Sequence, residues 1–259
     1  MIAAVYFSPT GNSRRSAVAL AEAWAAGAEI GRVDLTDWRT SWEPRSFTAE
    51  DFVVFAAPVY AGRLPDVSLE RFRSLRGQQT PCIVAVTYGN RHYDDALLEL
   101  TELVTAQGFQ VRGAAALVGR HTYGDIQPER PDEDDRVENE AFVARLQALP
   151  AAAETPVVPG KRPYQAGGRG KTPFIPETDY RCSHCGLCVR KCPMGAIADD
   201  CVSIDAARCI SCFRCIRGCK LQAKRAQGSA YENFAAMLTK KLAVRRENEY
   251  FLPNDKYSQ

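Results

Sequence analysis

Apolar runs of strand length alternate with segments of helical period through the first 120 residues of this 259-residue chain. The strand-like runs lie at 2–7, 29–35, 52–57, 82–87 and 110–118. Between them the pattern predicts an alanine-rich helix over 13–26, a short one near 66–74, and another over 94–106. In the last of these Leu97, Leu98, Leu100, Leu103 and Val104 fall on one helical face. A further helix is expected from about 134 to 149. Strands two to five are apolar cores bounded by turns, as expected when helices cover both faces of a sheet. The alternation predicts an α/β fold, a doubly wound parallel sheet of five strands.

Residues 150–178 break this pattern with six prolines and four glycines, which predicts a linker or extended strap. Nine of the ten cysteines follow within 179–226, a small second domain of α+β type. The remainder, 227–259, holds a helix candidate over 229–246, with Phe234, Leu238 and Leu242 at i, i+4 and i+8. Lys240, Lys241, Arg245 and Arg246 would form its solvated basic face, the apolar side docking on one of the domains. The expected division is therefore 1–149, a linker at 150–178, 179–226, and a C-terminal helix and tail at 227–259.

Hydrophobic residues at 46% and charged residues at 25% are ordinary globular values. No apolar run approaches the roughly 20 residues that cross a bilayer, so no membrane span is expected. The chain enters its first strand without the cationic and long apolar segments of a signal peptide, which points to the cytoplasm. There, ten cysteines argue for metal rather than disulfides. The net charge of +2 hides a division: residues 1–150 carry a balance of −6, and residues 151–259 one of +8. A basic half can indicate nucleic acid. Here the basic half is also the cysteine-rich half, where anionic metal–thiolate groups would offset part of the excess, so no nucleic-acid partner is expected.

The cysteines fall in two runs, Cys182-x2-Cys185-x2-Cys188-x3-Cys192-Pro193 and Cys209-x2-Cys212-x2-Cys215-x3-Cys219. The x2 spacing lets three sulfurs converge from one tight loop, and the x3 step carries the fourth to the far side. Zinc sites use pairs separated by longer loops, so the pattern favours iron–sulfur chemistry. Both runs resemble the bacterial ferredoxin pattern, in which each run gives its fourth cysteine to the other cluster. That resemblance implies two [4Fe–4S] clusters, one on Cys182, Cys185, Cys188 and Cys219, the other on Cys209, Cys212, Cys215 and Cys192. Lys220 stands where the second run would have its proline. Cys82 and Cys201 are expected to be buried as small hydrophobes.

Ser8-Pro9-Thr10-Gly11-Asn12-Ser13 lies between the first strand and first helix. Gly11 permits a tight turn, the hydroxyls can donate to phosphate oxygens, and helix-start amides add donors and a favourable dipole. The loop has neither the G-x-x-x-x-G-K-[ST] order of a triphosphatase nor G-x-G-x-x-G. It resembles the phosphate loop of the flavodoxin family, which implies strand order 2-1-3-4-5 and FMN at the carboxyl ends of the strands. Two later segments, 57–65 and 87–94, match where that family holds the flavin ring. The resemblance implies FMN contacts from Ser8, Thr10, Gly11, Asn12, Ser13, Pro58, Val59, Tyr60, Gly62, Thr87, Tyr88, Gly89, Asn90 and Tyr93. In it Tyr93 would stack on the ring, Tyr60 would approach the other face, and the Gly62 carbonyl would meet flavin N5. Asn90 replaces the family's usual Asp, and Arg63 and Arg91 add positive charge, which would raise the flavin potential if they approach the ring. His92 and His121 are the titratable neighbours.

The whole chain, over about 1–226, resembles the flavodoxin–ferredoxin fusion family of anaerobic bacteria and archaea. The resemblance implies an electron-transfer protein that shuttles single electrons between two [4Fe–4S] clusters and FMN, with redox protein partners such as a ferredoxin-type donor or acceptor. No side chain is required as a nucleophile or acid–base catalyst. Two rival functions remain open: a ferredoxin-dependent flavin reductase of a small organic substrate, and a redox-sensing or assembly iron–sulfur protein. The linker leaves open a homodimer in which a flavin serves clusters of a second subunit.

Overall fold

The computed structural model describes residues 1–39, 44–150, 154–165 and 174–253. Strand β1 (Ile2–Tyr6) is followed by α1 (Asn12–Ala25), β2 (Gly31–Asp34), β3 (Arg45–Phe47), β4 (Phe52–Pro58), α2 (Asp66–Phe72) and β5 (Leu75–Gly77). Then come β6 (Thr80–Tyr88), α3 (Ala96–Ala106), β7 (Phe109–Val118) and α4 (Glu133–Gln147). Beyond the linker lie β8 (Glu177–Thr178), α5 (Leu187–Lys191), α6 (Arg214–Arg217), β9 (Lys224–Arg225), α7 (Ser229–Lys241) and β10 (Glu249–Phe251).

The main sheet has the order β10-β7-β6-β4-β1-β2. Its pairs are parallel except at the β7 edge, where β10 runs antiparallel. Without β10, the five parallel strands have the expected order 2-1-3-4-5. Strand alternation sorts the side chains into two cores. Val5, Phe7, Val53 and Phe55 meet Leu97 and Leu100 of α3 on one face. Tyr6, Val54 and Ala56 meet Leu20 of α1 and Phe142 and Leu146 of α4 on the other. Both faces are covered, which is why these strands are apolar throughout.

Two elements differ from the expectations. The pair β3–β5 forms a small parallel sheet of its own, with three residues in each strand. The C-terminal helix ends at Lys241 rather than near 246, and the chain returns to the main sheet as β10, with Tyr250 opposite Ala115. Asn248 precedes this strand and fastens it. Its Oδ1 accepts from the Val118 amide at 2.8 Å, and its Nδ2 donates to Asp135 at 2.8 Å. Asp135 is paired with Arg130, both being almost fully buried, and closes a reciprocal capping box with Asp132 at the start of α4. The described part of the linker crosses α3: the Asp95 carboxylate accepts from the Lys161 and Gln165 amides, and Glu102 from Arg162 and Tyr164. Among the described residues no helix is long and apolar enough to cross a membrane.

Candidate functional site

The carboxyl ends of β1, β4, β6 and β7 open into a cleft of about 420 Å³. Ser8, Thr10, Asn12 and Ser13 form one wall, Pro58 to Tyr60 a second, and Thr87 to Gly89 a third. The cleft sits where strand order reverses between β1 and β4, the usual ligand position in an open α/β sheet. Gly11 has φ +94°, and a Cβ built there would meet nothing within 4 Å, so the loop's crest faces open space. The N-terminus of α1 has no side-chain cap and no acidic residue in its first turn. The helix dipole and the start of α1, where only the Arg14 amide is taken by a side chain, therefore present a positive field to the cleft, a fit for a phosphate monoester. The Ser8 hydroxyl accepts from the Arg14 amide at 2.9 Å, and Ser13 Oγ lies 2.7 Å from Thr87 Oγ1, so two expected phosphate donors also brace the loop.

Three expected ring contacts lie elsewhere. Tyr93 is 1% exposed, with its ring edge-on to Tyr88 and its hydroxyl donating to Glu249 at 2.6 Å, so it belongs to the core under the C-terminal segment. Asn90 donates to the Leu242 and Val244 carbonyls and accepts from the Arg246 amide. The Gly62 carbonyl accepts from the Asp95 amide at 3.1 Å, and Gly62 is not among the residues that line the cleft. The C-terminal segment, whose return the sequence pattern does not announce, has taken these groups as its own partners. Arg63 is likewise committed, in a buried pair with Glu99, and Arg91 pairs with Asp94. The positive charge on the cleft comes instead from Arg120, beside His121 and Thr122 in the loop after β7. His121 packs where a Cβ on Gly89 would stand. Burial pushes its imidazole below the ordinary range, partly opposed by the hydrogen bond with Tyr123.

A second, apolar pocket is lined by Cys192, Cys209, Cys212 and Cys215 together with Pro176, Met194, Ile197, Ile204 and Phe213. These are the four cysteines expected to share one cluster across the two runs. All ten cysteines are free thiols. Burial pushes the Cys212 thiol up to about 12 and raises Cys209 and Cys215 as well. Such thiols ionise only against a bound cation. Among the described residues no three His, Cys, Asp or Glu side chains close on a single metal ion. Four sulfurs ringing an apolar space suit a polynuclear iron–sulfur group with volume of its own.

The duplicated runs also share a backbone. Every ligand in the first run has its equivalent 27 residues later. Left-handed residues recur at the same offset: His184 and Ser211, Gly186 and Phe213, Gly195 and Gln222. So do amide-to-sulfur hydrogen bonds, from Ala196 to Cys192 and from Ala223 to Cys219, each 3.3 Å. By this correspondence Cys182, Cys185, Cys188 and Cys219 repeat the arrangement around the cavity. Their surroundings differ: Cys185 is exposed and the other three are half-buried.

Both runs meet the sheet domain, the second through its cysteine loop and the first at the turn after Cys192. Arg214 lines the cysteine cavity and donates to the Ser8 carbonyl at 3.4 Å. Arg217 donates to the His121 carbonyl, and the Tyr123 hydroxyl to the Ser211 carbonyl. Phe213 packs edge-on to Tyr123 with centroids 5.0 Å apart, and Tyr231 and Phe234 of α7 complete that aromatic cluster. Arg71 donates to the Pro193 carbonyl at 2.7 Å.

Residues 179–198, which hold the first cysteine run, match the family model of the 4Fe-4S binding domain. The chain joins a flavodoxin-like parallel sheet to a 4Fe–4S ferredoxin-type domain. Similar solved structures include oxidised flavodoxin 1 from Bacillus cereus, at 19% identity and TM-score 0.42, covering 57% of this chain and 99% of that one. The Streptococcus pneumonia TIGR4 flavodoxin gives 19%, 0.40, 57% and 99% in the same order. Two-electron reduced Megasphaera elsdenii flavodoxin gives 20%, 0.40, 57% and 100%. No curated protein matches the chain. The family match supports a 4Fe–4S site on the cysteine-bearing part of the chain.

Proposed function

We propose that this protein is an electron carrier that holds FMN in the cleft and two [4Fe–4S] clusters on the duplicated cysteine runs. When bound, these groups would supply one-electron transfer at the clusters and one- or two-electron transfer at the flavin. Ser8, Thr10, Asn12, Ser13 and the α1 amides would hold the phosphate, and Pro58, Val59, Tyr60, Thr87, Tyr88 and Gly89 the rest of the ligand. Cys192, Cys209, Cys212 and Cys215 would hold the inner cluster, and Cys182, Cys185, Cys188 and Cys219 the outer one. The protein would work with ferredoxin-type donors or acceptors in the cytoplasm.

One observation carries this reading: Arg214 touches both sites, lining the cysteine cavity while its guanidinium reaches the phosphate loop. A cleft and a cluster cavity joined by one side chain favour transfer within a chain over transfer between subunits. Arg120 and His121 close the β7 side of the cleft, and Tyr60 the side nearest Cys212. None of them is needed as a nucleophile or acid–base catalyst.

The test is anaerobic purification with iron, sulfide and flavin quantification, followed by an EPR-monitored redox titration. About eight irons and one FMN per chain are expected. Near-zero flavin with about eight irons would remove FMN and leave the clusters. Rapid turnover of a small organic acceptor would favour a reductase over a carrier.

A further inference from the structure

Lys224 is 3% exposed, in the heart of the ferredoxin-type domain. Its Nζ donates to Thr178 Oγ1 at 2.5 Å, and no carboxylate forms an ion pair with it among the described residues. A buried ammonium held by one hydroxyl is costly unless an anion stands close by. The contacts of Thr178 show which anion this is. Thr178 Oγ1 reaches the Cys201 carbonyl at 3.5 Å, and Cys188 Sγ points at that same carbonyl from 4.0 Å. On its other side Lys224 follows Ala223, whose amide donates to Cys219 Sγ. The ammonium therefore lies on the side of the module that carries Cys188 and Cys219 of the outer set, and its field also reaches Cys215 of the inner set.

The duplication supplies an internal control. Twenty-seven residues before Lys224 stands Ile197, 6% exposed and lining the inner cavity. At this position the inner site has a branched hydrocarbon and the outer site a buried cation, whereas the inner site's own cation, Arg214, is only half-buried and stands where the first run has Leu187. Nearby charge and burial are among the factors that set the potential of an iron–sulfur cluster. In a low-dielectric interior a fixed positive charge favours the reduced, more negative state.

We propose that Lys224 sets the two centres apart, holding the outer cluster at a higher reduction potential than the inner one. The outer centre then takes the first electron from a one-electron reductant. Each centre gains one electron, and no bond at Lys224 forms or breaks. An electron would rest at the exposed end of the module and pass inward only when a second one follows or when the flavin draws it. This inference rests on the proposed two-cluster reading.

The test is an EPR-monitored titration with dithionite as reductant, on the full chain and on Lys224→Met and Lys224→Arg. Two separated midpoints are expected in the parent protein. In Lys224→Met the higher midpoint should fall toward the lower, while Lys224→Arg keeps the separation. Loss of iron from Lys224→Met alone also supports the charge role, because Lys224→Arg retains the cation. The proposal is overturned if Lys224→Met leaves both midpoints in place, if both move together, or if Lys224→Arg behaves like Lys224→Met. A Cys185→Ser background, designed to remove the outer centre, fixes the site. If the remaining midpoint still falls as far with Lys224→Met, the lysine serves the inner centre and the proposal is wrong. A parent protein without about eight irons would defeat the two-cluster reading itself, a different outcome from unsplit midpoints.

Discussion

Cys212 is 8% exposed and neighbours Phe213, which packs against the aromatic cluster around Tyr123. Its equivalent Cys185 lies in the open, in a loop that begins beside Tyr180, itself 95% exposed. The same contrast holds at Ser211, 2% exposed, against the exposed His184, but it reverses after the fourth cysteine, where Met194 of the first run packs on the sheet core and Leu221 of the second is 49% exposed. The two loops share ligand spacing, left-handed positions and amide-to-sulfur bonds. Duplication has preserved the means of gripping a cluster, and everything outside that grip has diverged. One loop is built into the wall of another site, and the other faces solvent. Position, rather than ligation, gives them different tasks.

The most severe test removes one ligand from each loop. Cys212→Ser should abolish reduction of the flavin through the clusters, whereas Cys185→Ser should slow entry of electrons and leave the inner centre in place. Stopped-flow flavin reduction by dithionite, with iron counted in parallel, checks this. Equal rates in the two variants would erase the distinction between inner and outer. Next in size is the pair at the left-handed position. Phe213→Ala should cost about 3–5 kcal/mol, because it deletes a buried ring. Gly186→Ala should cost only about 1–2 kcal/mol, the strain of a Cβ at positive φ. Denaturant unfolding of the loaded protein measures both.

Arg214→Gln should lower the midpoint of the inner cluster and weaken flavin retention together, since one guanidinium touches both sites. Arg190→Gln, in the outer half and exposed, should change its centre less because solvent screens the charge. Smallest is a pH effect at His121. Its pKa is depressed in the folded protein, so the unfolded chain binds the proton more readily. Stability should fall as pH drops below about 6.5, with a slope no steeper than about 1.4 kcal/mol per pH unit. His121→Gln should flatten that limb of the stability profile, and an unchanged slope would assign it elsewhere.

The central parallel strands were legible because both faces of the sheet are buried there, which makes them largely apolar runs, whereas β2 at the edge, Gly31–Asp34, alternates with exposed Arg32 and Asp34. The cysteine runs were legible because ligand spacing is local. The cavity formed by Cys192 with Cys209, Cys212 and Cys215 accords with the crossed pairing that the ferredoxin resemblance implied. Less could be read where partners are distant. β10 has three residues, too few for a period, and its partner strand lies more than 130 positions earlier. The same return accounts for Tyr93 and Asn90, whose side chains serve the C-terminal segment. Arg120 and Thr122 carried one usable signal, a loop directly after the last parallel strand and so at the carboxyl edge with the others.

The pairing of β10 with β7 means that the cysteine-bearing module is not a tail. It is a loop in the topological sense, leaving the flavodoxin-like domain after α4 and re-entering it at the sheet edge. A module held at one end explores a sphere set by its tether, whereas one held at both ends is confined to a small part of it. A protease cut within residues 150–178 would therefore yield two fragments that remain assembled, the second contributing the sixth strand to the first. Separating them would require peeling β10 from β7 as well as breaking the contacts of Arg214 and Phe213.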